Sequence, residues 1–274
     1  MTSSWTAPRG TGMPSMQRPG LLIDIDGVLT VSWAPIPGAP AALQAVRDAA
    51  VRVVFLTNTT SISRASIARA MREAGFPVDA EEILTAPAMT AAYLRRNYPR
   101  TRCFVVGAGD VTEDLGGIVL VGADEEPDVV VLGGAGPEFD YATLNAIFRL
   151  AVSGTPLVAM HRNLSWATRD GLQLDTGAFL AGIEQAAGVE AVTVGKPSRA
   201  CFDAALEVLG VEPGDALMVG DDVQADVLGA QAAGLRGVLV RTGKYRDETL
   251  IHSGVKPDHV IDSFADIPAL LDLA

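Results

Sequence analysis

Aspartates gather at two places in the chain where an apolar run ends. Asp24 and Asp26 follow the run 21–23, with Gly27 directly behind them; Asp221 and Asp222 follow the run 216–219, with Asp226 one helical turn further on. Two other polar segments end similar runs: Thr57-Asn58 after 51–56, and Lys196-Pro197 after 192–194. A carboxylate such as Asp24 is a competent nucleophile towards phosphorus, because a covalent aspartyl-phosphate splits one difficult hydrolysis into two easier displacements. A second carboxyl two residues on, Asp26, can protonate the leaving oxygen and then take a proton from the attacking water. Gly27 lets the chain turn away without a Cβ in the way. The hydroxyl of Thr57, with the backbone N–H groups around Asn58, can hold phosphate oxygens, and Lys196 can neutralise them together with the surplus carboxylate charge. Concentrated acid at Asp221, Asp222 and Asp226 calls for a cation, and hard oxygen ligands of this kind suit Mg²⁺. Each segment alone has a blander reading: an acidic turn or a calcium-loop fragment for Asp24 to Gly27, capping residues for Thr57-Asn58, and a solvated lysine for Lys196. For Asp222 the acid of a helix N-terminus is the better reading. Together, the four read as a phosphoryl-transfer site.

Such a site needs strands to bring it together. Short runs rich in Val, Leu and Ile read as strands buried on both faces. They occur at 53–56, Arg102–Val106, Val129–Leu132, 157–160, 216–219, 237–240 and His259–Ile261. Helical patterns alternate with them at 39–49, 63–74, Tyr141–Val152, Thr176–Ala187, Arg199–Leu209 and 223–233. This alternation implies an α/β fold, a doubly wound parallel-sheet core, in which ligands bind beyond the carboxyl ends of the strands. The division expected is a disordered extension at 1–19, rich in Pro, Gly, Ser and Thr; core residues 20–82; an inserted smaller α/β cap domain at 83–192; and the returning core at 193–274.

Composition narrows the functions open to the chain. Its 274 residues are 49% hydrophobic and carry a formal net charge of −12. An acidic surface repels phosphate backbones, which argues against nucleic acid as a partner. No apolar stretch approaches the roughly 18 residues that span a bilayer, and the N-terminus lacks the apolar core of a secretory signal, so no membrane is expected and the cytoplasm is the expected location. Cys103 and Cys201 lie outside any CxxC pattern and read as buried thiols.

The segments DIDGVLT, TN, GKP and GDDVQAD, in this order, resemble the haloacid dehalogenase superfamily of phosphohydrolases, from about Gly20 to the C-terminus. The resemblance implies a Rossmann-like core, with Asp24 as nucleophile, Asp26 as acid and base, Thr57 as phosphate ligand and Lys196 as charge stabiliser. It also implies Mg²⁺ held by the Asp24 side chain, the Asp26 backbone carbonyl and Asp221, with Asp226 behind them. The second aspartate, Asp26, favours a phosphatase over a dehalogenase. The insertion after the TN segment is similar to the large α/β cap of the sugar-phosphate, nucleotide and pyridoxal-phosphate phosphatases. The stretches TNTTSISR, DYATLNAIF, DGLQLDTG, VGKPS, GDDVQADVLGAQ and VRTGKYR resemble the branch that holds the phospholysine/phosphohistidine/inorganic pyrophosphate phosphatase. Such caps often pair, which implies a homodimer.

In the cap, His161-Arg162-Asn163 follows a strand, where a loop can lean over the crevice. There Arg162 would bind an anionic group of the substrate, and His161 or Asn163 would hydrogen-bond the leaving group; an exposed loop with an unengaged arginine is the alternative. The glycine-rich segments 107–109 and 133–136 do not complete GxGxxG and read as turns and tight packing. The sequence therefore predicts a Mg²⁺-dependent phosphohydrolase acting through an aspartyl-phosphate on a small phosphorylated metabolite, with a phosphate monoester, a P–N bond or a pyrophosphate bond as the one cleaved. Its rivals are a phosphomutase, which the size and position of the insertion disfavour, and a catalytically silent binding protein, disfavoured because no catalytic position is substituted.

Overall fold

The computed structural model describes residues 18–109, 113–168 and 171–273. Of the expected extension, residues 1–17 lie outside the described residues, and Gly20 opens the first strand. In chain order the strands are β1 (Gly20–Ile23), β2 (Thr30–Val31), β3 (Ala34–Pro35), β4 (Val53–Thr57), β5 (Ile83–Thr85), β6 (Arg102–Val106), β7 (Val119–Leu120), β8 (Val129–Leu132), β9 (Leu157–Ala159), β10 (Ser165–Thr168), β11 (Gly171–Leu174), β12 (Val192–Thr193), β13 (Ala216–Gly220), β14 (Arg236–Val240) and β15 (His259–Ile261). The helices are α1 (Ala39–Asp48), α2 (Arg64–Glu73), α3 (Ala86–Asn97), α4 (Tyr141–Val152), α5 (Thr176–Ala187), α6 (Arg199–Leu209), α7 (Gly229–Ala232), α8 (Asp247–Ser253) and α9 (Ile267–Leu270).

Successive side chains of a strand point to opposite faces, so a run of apolar residues needs cover on both sides. In β1, Leu21 and Ile23 join a cluster with Leu43 and Val46 of α1, Ile67 and Met71 of α2, and Ile267 of α9. Leu22 between them joins Phe202, Ala205 and Leu209 of α6 and Ala230 of α7 on the other face. The resulting parallel sheet has the order β15-β14-β13-β1-β4-β5. The chain runs outward from β1 through β4 to β5, and in the opposite direction from β13 through β14 to β15. The switch point therefore lies between β1 and β13, the place where such sheets open a crevice. Asp24 follows β1 and Asp221 follows β13, so the topology alone puts the two acidic segments side by side.

The insertion builds a second parallel sheet, β12-β9-β8-β6-β7, covered by α4 and α5 through Ile147, Leu180 and Ile183. Its limits differ from those expected. β5 pairs with β4 of the first sheet, so the core's first segment reaches Thr85 and not residue 82; Thr193 pairs with Ala159 and belongs to the second sheet. The helix expected at 223–233 is divided into a π-helical turn over Val223–Leu228 followed by α7. Both cysteines are buried and free. No helix among the described residues is long and apolar enough to cross a membrane.

Candidate active site

Four buried charges meet beyond the ends of β1 and β13. Lys196 Nζ lies 3.0 Å from Asp24 Oδ1 and 2.7 Å from Asp226 Oδ1, with Asp221 alongside. Carboxylate oxygens of Asp24, Asp221 and Asp226 all lie within 4.8 Å of one another. Burial alone would lower the Lys196 pKa, but the charges of Asp226 and Asp24 override it and hold the ammonium well above its ordinary range. Three carboxylates against one ammonium leave a surplus of two negative charges when all are ionised.

The strain of that surplus falls on Asp221. Burial, then the Asp24 and Asp226 charges, push its carboxyl up to about 7. Its Oδ2 accepts the Lys244 N–H at 2.7 Å, whereas its buried Oδ1 has no hydrogen-bond partner. An unpartnered buried carboxylate oxygen aimed among other carboxylates is costly without a cation and is what a hard divalent ion requires. The donor set therefore fits a metal. The chain closes in on Asp221 from two sides: Gly27 at φ +86° and Gly243 at φ +61° both sit where a Cβ would collide with its carboxylate.

Asp24 accepts the Ile25 N–H and the Lys196 ammonium on Oδ1, and Oδ2 carries no hydrogen bond among the described residues. Asp226, fully buried, is brought in by the π turn, whose extra residue widens the helix; such turns concentrate at functional sites. Its Oδ1 accepts from Lys196 and its Oδ2 from the Asp222 N–H at 3.1 Å, so it ties the lysine to the turn after β13. Asp222 caps that turn, accepting from Gln224 and Ala225 N–H groups at 3.0 Å.

Thr57 is buried and its hydroxyl contacts the Thr59 hydroxyl at 2.9 Å. Asn58 does something the sequence did not disclose. Its amide donates to the Lys196 carbonyl at 2.9 Å and its Oδ1 accepts the Lys196 N–H at 2.9 Å. The side chain is thus spent on clamping the lysine's backbone. Asp26 is exposed, and with Thr57 it lines a cavity of about 240 Å³ beside the cluster.

The cap loop departs from expectation. Arg162 is turned into the cap: its guanidinium forms a bidentate pair with Glu184, donates to Thr193 Oγ1 at 2.7 Å and to the Ala191 carbonyl at 3.0 Å. With its donors committed there, it is not the substrate ligand expected from sequence. His161 is buried, its Nδ1 accepting the Asn163 N–H at 3.2 Å and its Nε2 3.9 Å from Asp175 Oδ2. Asn163 is exposed, and its carbonyl accepts the Gly177 N–H. The glycines near 109 and 134 serve packing, as expected: they lie directly against Ser61 and Thr60 of the loop after β4. Lys244 was missed. Its Nζ lies 3.6 Å from Asp222 Oδ2, and the adjacency of β14 to β13 puts the segment after β14 at the crevice.

Two family models match the chain, a haloacid dehalogenase-like hydrolase over residues 21–118 and a HAD-hydrolase-like one over 193–267. Haloacid dehalogenase-like hydrolase domain-containing protein 2 of Bos taurus is 38% identical over 226 residues, 82% of this chain and 85% of its own. The phospholysine phosphohistidine inorganic pyrophosphate phosphatase of Homo sapiens is 33% identical over 271 residues, 97% of each chain. Among solved structures, the p-nitrophenyl phosphatase from Archaeoglobus fulgidus matches with a TM-score of 0.87 and 30% identity, covering 93% of this chain and 99% of that one. NagD from E. coli K-12 matches with a TM-score of 0.82 and 28% identity, covering 92% and 98%.

Proposed function

The chain belongs to the haloacid dehalogenase-like hydrolases and is a phosphatase of that family; from that premise we propose that it cleaves a small phosphorylated metabolite through an aspartyl-phosphate on Asp24, with Mg²⁺ as cofactor. The observation that carries the reading is Lys196 bridging Asp24 and Asp226 beside the unpartnered Asp221 Oδ1.

In the proposed reaction Asp24 Oδ2, the oxygen without a hydrogen bond, attacks phosphorus. The bond from phosphorus to the leaving oxygen breaks, and that oxygen takes a proton from Asp26. A water then attacks the aspartyl-phosphate, giving a proton to Asp26, and inorganic phosphate departs as the Asp24 carboxylate reforms. Lys196, the Thr57 hydroxyl and the N–H groups of the loop after β4 stabilise the phosphoryl oxygens. Asp24, Asp221 and the Asp26 carbonyl would hold Mg²⁺, with Asp226 and Asn58 fixing Lys196 behind them. When bound, the ion offsets the repulsion between carboxylate and phosphate. Self-association through the cap belongs to the same proposal, supported by Leu164 and Leu174, which are exposed on it; light scattering at micromolar concentration should give twice the 28.5 kDa of one chain.

The test is release of inorganic phosphate from p-nitrophenyl phosphate. Turnover should require Mg²⁺, stop with EDTA, and vanish in Asp24→Asn while the thermal transition persists. Near wild-type turnover by that variant would remove the nucleophile assignment.

A further inference from the structure

The general acid must touch the leaving oxygen, so the cavity that Asp26 and Thr57 line is the one the leaving group enters. One wall of it is Trp33, which lies in the two-residue turn between β2 and β3 and is 39% exposed. Ile25, Ile62 and Ile67 line it with the indole, and its remaining lining residues are serines and threonines. Asp26 is the one charged side chain among the described lining residues, and no Lys or Arg is among them.

Folding does not explain a tryptophan there. Ser32 and Trp33 have φ of +50° and +67°, and a two-residue hairpin turn with both φ values positive favours Asn-Gly. A bulky aromatic residue in that region is an outlier held against its local preference. Strained positions of this kind concentrate at ligand clamps. The tip of a hairpin beside the acid is such a place.

Resting on the phosphatase reading, we propose that Trp33 is a specificity-determining residue and that the preferred substrate is a phosphate ester whose leaving group carries a flat, uncharged ring. The indole and the isoleucines bury the ring, the hydroxyls meet its polar substituents, and no Lys or Arg among the described lining residues offers a counter-charge to a second anionic group. Phosphoanhydrides and bisphosphates are disfavoured for the same reason.

Benzyl and propyl phosphate test this, because their leaving alcohols have similar basicity and differ in the ring. The full chain with Mg²⁺ should favour benzyl over propyl phosphate about tenfold in kcat/KM, and Trp33→Asn should bring that ratio near unity. Asparagine suits the turn, so this variant should unfold at or above the wild-type temperature. Trp33→Phe, which keeps a ring, should retain at least half of the preference. Pyrophosphate should be turned over at least tenfold less efficiently than benzyl phosphate. A wild type without ring preference, a ratio unmoved in Trp33→Asn, or a preference for pyrophosphate overturns the inference and leaves the phosphatase reading standing. No Mg²⁺-dependent phosphate release from any of the three substrates removes both.

Discussion

At the scale of single residues, the site separates side chains that meet substrate from those that aim them. Asn58 is of the second kind, because both ends of its amide are used on the Lys196 backbone. Asn58→Ala should lower kcat by about tenfold to a hundredfold, the loss expected when a catalytic group is misplaced by about 1 Å. KM for a small ester and the thermal shift produced by Mg²⁺ should change little; an unchanged kcat would show that the lysine needs no clamp. Asp221 makes a prediction of opposite sign for the metal-free protein. A carboxyl raised to about 7 in the fold costs stability wherever the pH ionises it. Asp221→Asn should therefore raise the unfolding temperature of the metal-free protein above neutrality. It should also abolish the stabilisation by Mg²⁺, which for the wild type at a hundredfold over Kd amounts to about 2.7 kcal/mol. A retained Mg²⁺ shift in calorimetry would place the ion elsewhere.

At the scale of elements, His161 shows how a loop expected over the crevice is used inside the cap. Burial lowers its pKa from 6.5 although the nearby Asp175 charge pulls the other way. A histidine depressed in the fold binds protons more readily when unfolded, so its contribution is present above about pH 6.5 and is lost as the pH falls towards the folded value. Wild-type unfolding temperatures should drop across that window, and His161→Gln should flatten the slope; equal slopes in both would assign the acid sensitivity to carboxylates. The elements that sequence disclosed are those with local signals. α4 and α5 are capped by Asp140 and Asp175, whose side chains accept the N–H groups of Thr143 and Thr176, and their limits agree with the periodicity. α3 was not visible because it lacks a polar face on its first turns: Ala86, Pro87, Met89, Thr90 and Ala91 are all buried. β5 and the β2–β3 hairpin are too short for periodicity to register. The core site was legible because its polar residues end apolar runs, whereas Arg162 was misplaced because its partner, Glu184, lies 22 residues further along the chain.

At the scale of the whole molecule, the two sheets share a core. One hydrophobic cluster contains Leu22, Val54 and Leu56 of the first sheet, Met89 and Leu94 of α3, and Val129, Val131, Val158 and Met160 of the second. The same strands carry the site: the carbonyl of Met160, directly after β9, accepts the N–H of Gly195, the residue before Lys196. Apolar side chains buried between two units contribute to both, at about 1.5–3 kcal/mol for each large one, so neither sheet can lose its packing without exposing part of the other. This predicts one cooperative unfolding unit, even though the insertion has its own sheet and helices. The slowest-exchanging amides of Val129–Leu132 and of Gly20–Ile23 should report the same opening free energy in native-state hydrogen exchange, equal to that from urea unfolding. Met89→Ala, which opens a cavity between the sheets, should lower both by the same amount, about 2–5 kcal/mol. If the β8 amides exchanged through an opening several kcal/mol cheaper than that of β1, the insertion would be an autonomous unit docked on the core, and the shared cluster would be a contact surface between two folding units.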